Sequence, residues 1–124
     1  MAKTIVLVAE DDPAIRKALE EKLTEAGYNL ILAQNGQEAL DLANKQHPDL
    51  LILDILMPVL HGLEMLEKIR DEEWGEDIPA IVLTNLDDST LRHRADELKA
   101  TYLLKASTKL EVLIQTIHNS LKNK

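Results

Sequence analysis

Five times along the chain a short apolar run rich in β-branched residues is followed by a stretch with helical spacing, and this alternation constrains the fold more than any other feature. The runs cover residues 4–9 (TIVLVA), 28–33 (YNLILA), 49–54 (DLLILD), 79–84 (PAIVLT) and 101–105 (TYLLK). They are too uniformly apolar for strands with one wet face and suit strands covered on both. The run at 49–54 is the most apolar and belongs in the middle of the sheet. Between the first two runs, Asp12 and Pro13 read as an N-cap followed by the first helical residue. Ile15, Ala18, Leu19, Leu23 and Ala26 then recur at helical spacing, and Gly27 ends the helix. Residues 36–46 carry Ala39, Leu40 and Ala43 on one stripe before Pro48. A loop with Pro58 and Gly62 leads to Leu63, Leu66 and Ile69. Residues 88–98 form a more polar helix, and Leu110, Leu113, Ile114, Ile117 and Leu121 mark the last one. Right-handed crossovers between parallel strands place these helices on both faces of a doubly wound α/β sheet. Residues 1–124 read as a single domain without linker, repeat or following effector domain.

Composition removes several function classes. The chain has no Cys, which excludes disulfide scaffolds, thiolate metal sites and cysteine nucleophiles. Fourteen basic against 22 acidic residues give a net charge of −8, which opposes nucleic-acid binding. With no Phe, one Trp and two Tyr there is no stacking platform for single strands. His47, His61, His93 and His118 lack metal-ligand spacing. The N-terminus carries no signal-peptide pattern, and no apolar stretch approaches the ~18 residues of a membrane span. A cytoplasmic protein with no membrane insertion is the expectation.

In a doubly wound sheet the binding crevice lies at the carboxyl ends of the strands, where strand order reverses. Glu10 and Asp11 follow the first run, Asp54 ends the third, Thr84 the fourth and Lys105 the fifth. No glycine-rich cradle for a nucleotide follows the first run. Carboxylates gathered on one rim repel: two unit charges ~4 Å apart cost roughly 4 kcal/mol at an effective dielectric near 20. A hard divalent cation offsets that cost, and a site with few protein ligands and open water positions suits Mg²⁺ better than Ca²⁺. Such a cation beside an ammonium and a hydroxyl offers three partners to a phosphoryl group, and Asp54 is the carboxylate left to receive it.

These residues resemble the receiver domains of two-component response regulators. The likeness is carried by Glu10-Asp11-Asp12 after an apolar strand, by Asp54-x-x-Met57-Pro58-x-x-x-Gly62, by Thr84, and by Tyr102-x-x-Lys105, in order along the whole chain. It implies a flavodoxin-like five-stranded parallel sheet of order 2-1-3-4-5. It further implies that Asp54 is the phosphoacceptor, charged by a sensor histidine kinase or a histidine phosphotransfer protein. Asp11 corresponds to a direct Mg²⁺ ligand, Glu10 to its partner acid acting through water, and the backbone carbonyl of Leu56 to a further ligand. Thr84 and Lys105 correspond to the groups that hold phosphoryl oxygens, and Tyr102 to an aromatic switch coupled to Thr84. By the same resemblance Leu56 and Leu86 correspond to the side chains that flank the path of a hydrolytic water. The resemblance describes a phosphoprotein that signals to a downstream protein target, not a turnover enzyme.

Two positions depart from the family pattern. Ala106 follows Lys105 where the family commonly has a cis-linked Pro, and a cis non-proline bond costs about 3 kcal/mol, so a trans link is expected. Asn85 replaces a small residue beside Thr84 and either crowds the phosphoryl group or adds a donor. Two other functions compete. An aspartyl phosphohydrolase of haloacid-dehalogenase type needs a second Asp two residues after the nucleophile, and Leu56 stands there. A phosphorylation-independent interaction module would have no use for the acids, Thr84 and Lys105 together. Trp74 reads as structural, closing the far end of the sheet near Gly75. His61 reads as a solvated loop residue, and Arg92, His93 and Arg94 as a solvated basic spot on a helix face.

Overall fold

The computed structural model describes residues 4–122. The apolar runs form β1 (Ile5–Ala9), β2 (Asn29–Ala33), β3 (Leu50–Leu53), β4 (Ala80–Thr84) and β5 (Ala100–Leu104). The helices are α1 (Pro13–Glu25), α2 (Gly36–Gln46), α3 (Gly62–Arg70), α4 (Ser89–Glu97) and α5 (Leu110–Lys122). The strands make one sheet in the order β2-β1-β3-β4-β5, with every neighbouring pair parallel. This is the order that the resemblance implies, and β3 takes the middle as its composition predicts. Among the described residues no helix is long and apolar enough to cross a membrane.

Although the central strands are buried on both sides, their residues alternate between two cores, as the period of two requires. Val6, Val8, Leu50, Ile52, Ile81 and Leu83 pack with Leu19 and Leu23 of α1 and Leu113 and Ile117 of α5. Leu7, Ala9, Leu51, Leu53, Ala80 and Val82 face the other way, toward Ala39 of α2, Leu66 of α3 and Ala95 of α4. Each buried Leu, Ile or Val side chain contributes roughly 1.5–3 kcal/mol. The sheet is therefore a firm base, and the residues just beyond each strand are the ones free to carry chemistry. β5 is an edge strand and only partly buried, which is why its run is the most polar of the five.

The caps explain where the helices begin and end. Asp12 accepts the amides of Ala14 (2.9 Å) and Ile15 (3.4 Å), with Pro13 at the first helical position. Gly27, at φ +96°, turns the chain out of α1. His47 adopts the left-handed region at φ +47° and stops α2 one residue before Pro48, which disfavours a right-handed helical residue ahead of it. The polar α4 forms because Asp88 caps it through the Leu91 amide (2.9 Å) and Ala95 buries its inner face. Trp74 lies in a 3-10 turn (Glu73–Gly75) at the amino ends of the strands, stacked on the His47 ring at 4.5 Å and donating to Asn44 at 3.1 Å.

Candidate functional site: an acidic pocket at the carboxyl edge of the sheet

The pocket forms where chain order reverses, between β1 and β3. Ladder bonds run past the strand ends and fix its first residues. The Glu10 amide donates to the Ala33 carbonyl and the Asp54 amide to the Ala9 carbonyl, each at 3.1 Å. Asp54 thus sits one residue beyond β3, and Lys105 one residue beyond β5, in a 3-10 turn (Lys105–Ser107). The loop between β3 and α3 is pinned from inside. Ile55 and Met57 are buried while Leu56 between them is 56% exposed. Gly62 lets α3 approach so closely that a Cβ there would lie 2.1 Å from the Asp54 carbonyl oxygen. Gly36 does the same for α2, where a Cβ would meet the Leu60 carbonyl oxygen at 1.8 Å.

Among the described residues Glu10, Asp54 and Thr84 make up the buried polar group, at 2%, 6% and 0% exposure. One carboxylate oxygen from each of Glu10, Asp11 and Asp54 lies within 4.8 Å of the others. The Lys105 ammonium bridges two of them, 2.6 Å from Asp54 Oδ2 and 2.7 Å from Glu10 Oε1. Burial raises the Glu10 pKa above the usual carboxylate value, against the opposing hydrogen bonds from Lys105 and the Asp12 amide. Burial works to lower that of Lys105, but its hydrogen bonds to Asp54 and Glu10 prevail and raise it. The causes differ: burial outweighs the ammonium at Glu10, whereas the two acids outweigh burial at Lys105. The remaining Asp54 oxygen, Oδ1, accepts the Leu56 amide at 3.3 Å. This donor set is all oxygen and anionic, with Asp11 exposed toward water. Those are the properties a hard divalent cation requires, so the residues fit such an ion.

Thr84 is held in a second set of contacts. Its Oγ1 accepts the Leu86 amide at 3.3 Å, and the Tyr102 hydroxyl donates to the Leu86 carbonyl. One residue thus joins the two hydroxyls that the resemblance links. Leu86 is half-buried and Asn85 exposed. No peptide bond among the described residues is cis, so Lys105–Ala106 is trans and Lys105 still reaches Asp54.

Four side chains have more to do than their sequence context suggests. His61 is not a free loop residue: its Nδ1 accepts the Leu63 amide at 3.3 Å and caps α3. Arg16 Nη1 donates to the Glu10 carbonyl at 2.8 Å and steadies the acidic loop from α1. Its position four residues after the Asp12 cap, on the same helical face, was the available signal. The basic spot on α4 is spent internally. Arg94 pairs with Glu67 at 2.9 Å and with Glu97 at 3.4 Å, while the Arg92 guanidinium lies 4.6 Å from the centre of the Tyr102 ring.

Comparison with known proteins agrees with this geometry. A probable transcriptional regulator, ycf27, of Porphyridium aerugineum is 38% identical over 120 residues, which are 94% of this chain and 49% of that protein. The response regulator MprA of Mycolicibacterium vanbaalenii is 44% identical over 87 residues, 70% of this chain and 37% of that one. The chain therefore spans about half, or less, of the curated relatives it matches. Among solved structures, the chemotaxis protein CheY4 of Vibrio cholerae superposes with a TM-score of 0.87 at 29% identity, covering 96% of this chain and 99% of that one. The family model for the response regulator receiver domain matches residues 6–118, from β1 into α5. A match that takes in all five strands and every loop of the acidic rim leaves one assignment: the chain belongs to the response regulator receiver domain family.

Proposed function

We propose that the chain is a phosphoacceptor module of a two-component or phosphorelay system, taking a phosphoryl group onto Asp54 from a phosphohistidine of a sensor histidine kinase or histidine phosphotransfer protein. The observation that carries this reading is the Lys105 ammonium shared between the buried Asp54 and Glu10. Asp54 Oδ1 is the less committed oxygen, held by one 3.3 Å bond, and serves as the nucleophile. As the new O–P bond forms, the P–N bond to the donor imidazole breaks, and the imidazole keeps the electron pair and picks up a proton. Lys105 moves its hydrogen bonds onto a phosphoryl oxygen, and the Thr84 hydroxyl donates to another. Glu10, Asp11 and Asp54, with the Leu56 carbonyl that the resemblance adds, would hold Mg²⁺, which when bound would supply positive charge to the phosphoryl group.

The phosphoryl group is then a stoichiometric signal and not a released product, so the module is no turnover enzyme. Its effect passes to a downstream protein target through the Tyr102 side of the domain, by a shift in population between existing conformations. A cytoplasmic location and action without direct nucleic-acid contact are part of the same proposal. Incubation with acetyl phosphate and Mg²⁺ tests it. Labelling of the parent and none of Asp54→Ala is expected, and undiminished labelling of that variant would overturn the site assignment.

A further inference from the structure

The α4 arginine that lies on Tyr102 has no part in the pocket itself, yet its contacts lead back to Thr84. Its backbone is fixed by the helix, where the Arg92 amide donates to the Asp88 carbonyl at 3.0 Å. Its head group is fixed by Asp87, whose Oδ1 accepts from Arg92 Nε at 3.3 Å. Between those two anchors the guanidinium covers the Tyr102 ring at 4.6 Å. The other side of that half-buried ring packs on the core shared by α2, α3 and α4. Arg94 and His93, its neighbours on α4, turn instead to Glu97 and, for Arg94, to Glu67.

We infer that Arg92 is a positioning residue for phosphorylation: seated on the Tyr102 ring, it keeps the tyrosine hydroxyl on the Leu86 carbonyl and so holds the Leu86 amide on Thr84. The inference rests on the phosphoacceptor reading and deepens it. A threonine hydroxyl has one proton to donate and two lone pairs to accept with. The bond from the Leu86 amide occupies a lone pair and leaves the proton for a phosphoryl oxygen, so the loop bond orients Thr84 without competing for it. If Tyr102 swings out, the Leu86 carbonyl loses its donor and the segment from residue 85 to 87 loses its tie to β5. Arg92 opposes that motion from the solvent side. An exposed cation–π contact of about 0.5–1 kcal/mol corresponds to a two- to fivefold bias toward the bonded tyrosine.

The test is a mutant cycle on the initial rate of Asp54 labelling by acetyl phosphate at fixed Mg²⁺. Arg92→Met, which keeps the length and loses the charge, is expected to slow labelling two- to fivefold. Arg92→Lys, which keeps a cation over the ring, restores at least half of the loss. Tyr102→Phe cuts the link to Leu86 while leaving the ring, and adding Arg92→Met to it is expected to change nothing further. A second readout needs no phosphodonor: the backbone amide resonances of Leu86 and Thr84 should move in Arg92→Met but not when that change is made in Tyr102→Phe. Equal effects of Arg92→Met in both backgrounds, or unmoved resonances, overturn the role given to Arg92. If the parent takes no label on Asp54, the phosphoacceptor reading fails, and the resonance arm still decides whether Arg92 acts through Tyr102 on the loop.

Discussion

Replacing Lys105 by Met keeps most of the side-chain stem and removes the charge that the pocket is built around. The ammonium lies 2.6 Å from Asp54 and 2.7 Å from Glu10, whose exposures are only 6% and 2%. Removing one member of a buried ion cluster leaves the others uncompensated, which generally costs about 3–5 kcal/mol. Here Asp11 opens one side of the cluster to water, which puts the cost at the low end, about 3 kcal/mol. For a chain of 124 residues that is a fall in Tm of roughly 12 °C, at about 4 °C per kcal/mol. The loss has a definite pH dependence. Burial already holds the Glu10 pKa above the ordinary 4.5, and without the lysine it rises further. A carboxyl with a raised folded pKa binds its proton more tightly when folded, so the variant's deficit is smallest below about pH 4.5 and grows as pH climbs through the folded value. The parent's lysine, with its own pKa raised, keeps its contribution across neutral pH and loses it only in alkali, above the ordinary 10.5. Thermal melts of parent and variant at about pH 5 and pH 8, with and without Mg²⁺, read all of this. The gap in Tm should widen from the lower to the higher pH, and Mg²⁺ should narrow it at the higher one by supplying the missing charge. A gap below about 3 °C that is equal at both pH values refutes the account of Lys105 as resident counter-ion.

Asp11→Ala should leave the metal-free protein as stable as the parent or up to about 1 kcal/mol more stable, because it relieves repulsion among the acids, while the rise in Tm on adding Mg²⁺ disappears. A marked fall in the metal-free Tm would contradict the clustering. Loss of phosphate should be slow, since the 56%-exposed Leu56 and the half-buried Leu86 give an attacking water no hydrogen bond. Leu56→Asn and Leu86→Glu should each speed the loss about tenfold, equivalent to ~1.4 kcal/mol of barrier, in a chase after the donor is removed; a parent as fast as the variants sinks the idea. Gly62→Ala puts a methyl 2.1 Å from the Asp54 carbonyl oxygen and must displace backbone. About 2–3 kcal/mol of lost stability is expected by chemical denaturation, with slower labelling of Asp54, and an unchanged midpoint would mean that the loop has room it does not show.

The fold was legible because each apolar run is followed by a stretch with helical spacing, the first opened by Asp12-Pro13, so few topologies remained. Strand order was different: nothing in the spacing of residues 28–33 says that they lie outside residues 4–9, and only the resemblance supplied it. The acidic rim was legible for a geometric reason. Glu10, Asp54, Thr84 and Lys105 each come at or just after the end of a hydrophobic run, and parallel strands bring such ends to one edge. What could not be read were contacts made by long side chains across elements. Arg94 reaching Glu67 of α3 and Arg92 folding over Tyr102 of β5 depend on rotamers and on distances between elements that no local pattern records.

Trp74, the one tryptophan of the chain, stands at the amino ends of the strands, stacked on His47 and bonded to Asn44. The carboxylates lie at the opposite edge, so the sheet itself separates the fluorophore from the acidic cluster. Tryptophan emission will therefore report unfolding and the α2–β3 junction while staying silent when Mg²⁺ or phosphate arrives. That makes the protein its own internal control. A titration followed at the tryptophan measures stability alone, and ligation has to be watched by another signal, for which the Tyr102 ring at the carboxyl edge is the natural reporter.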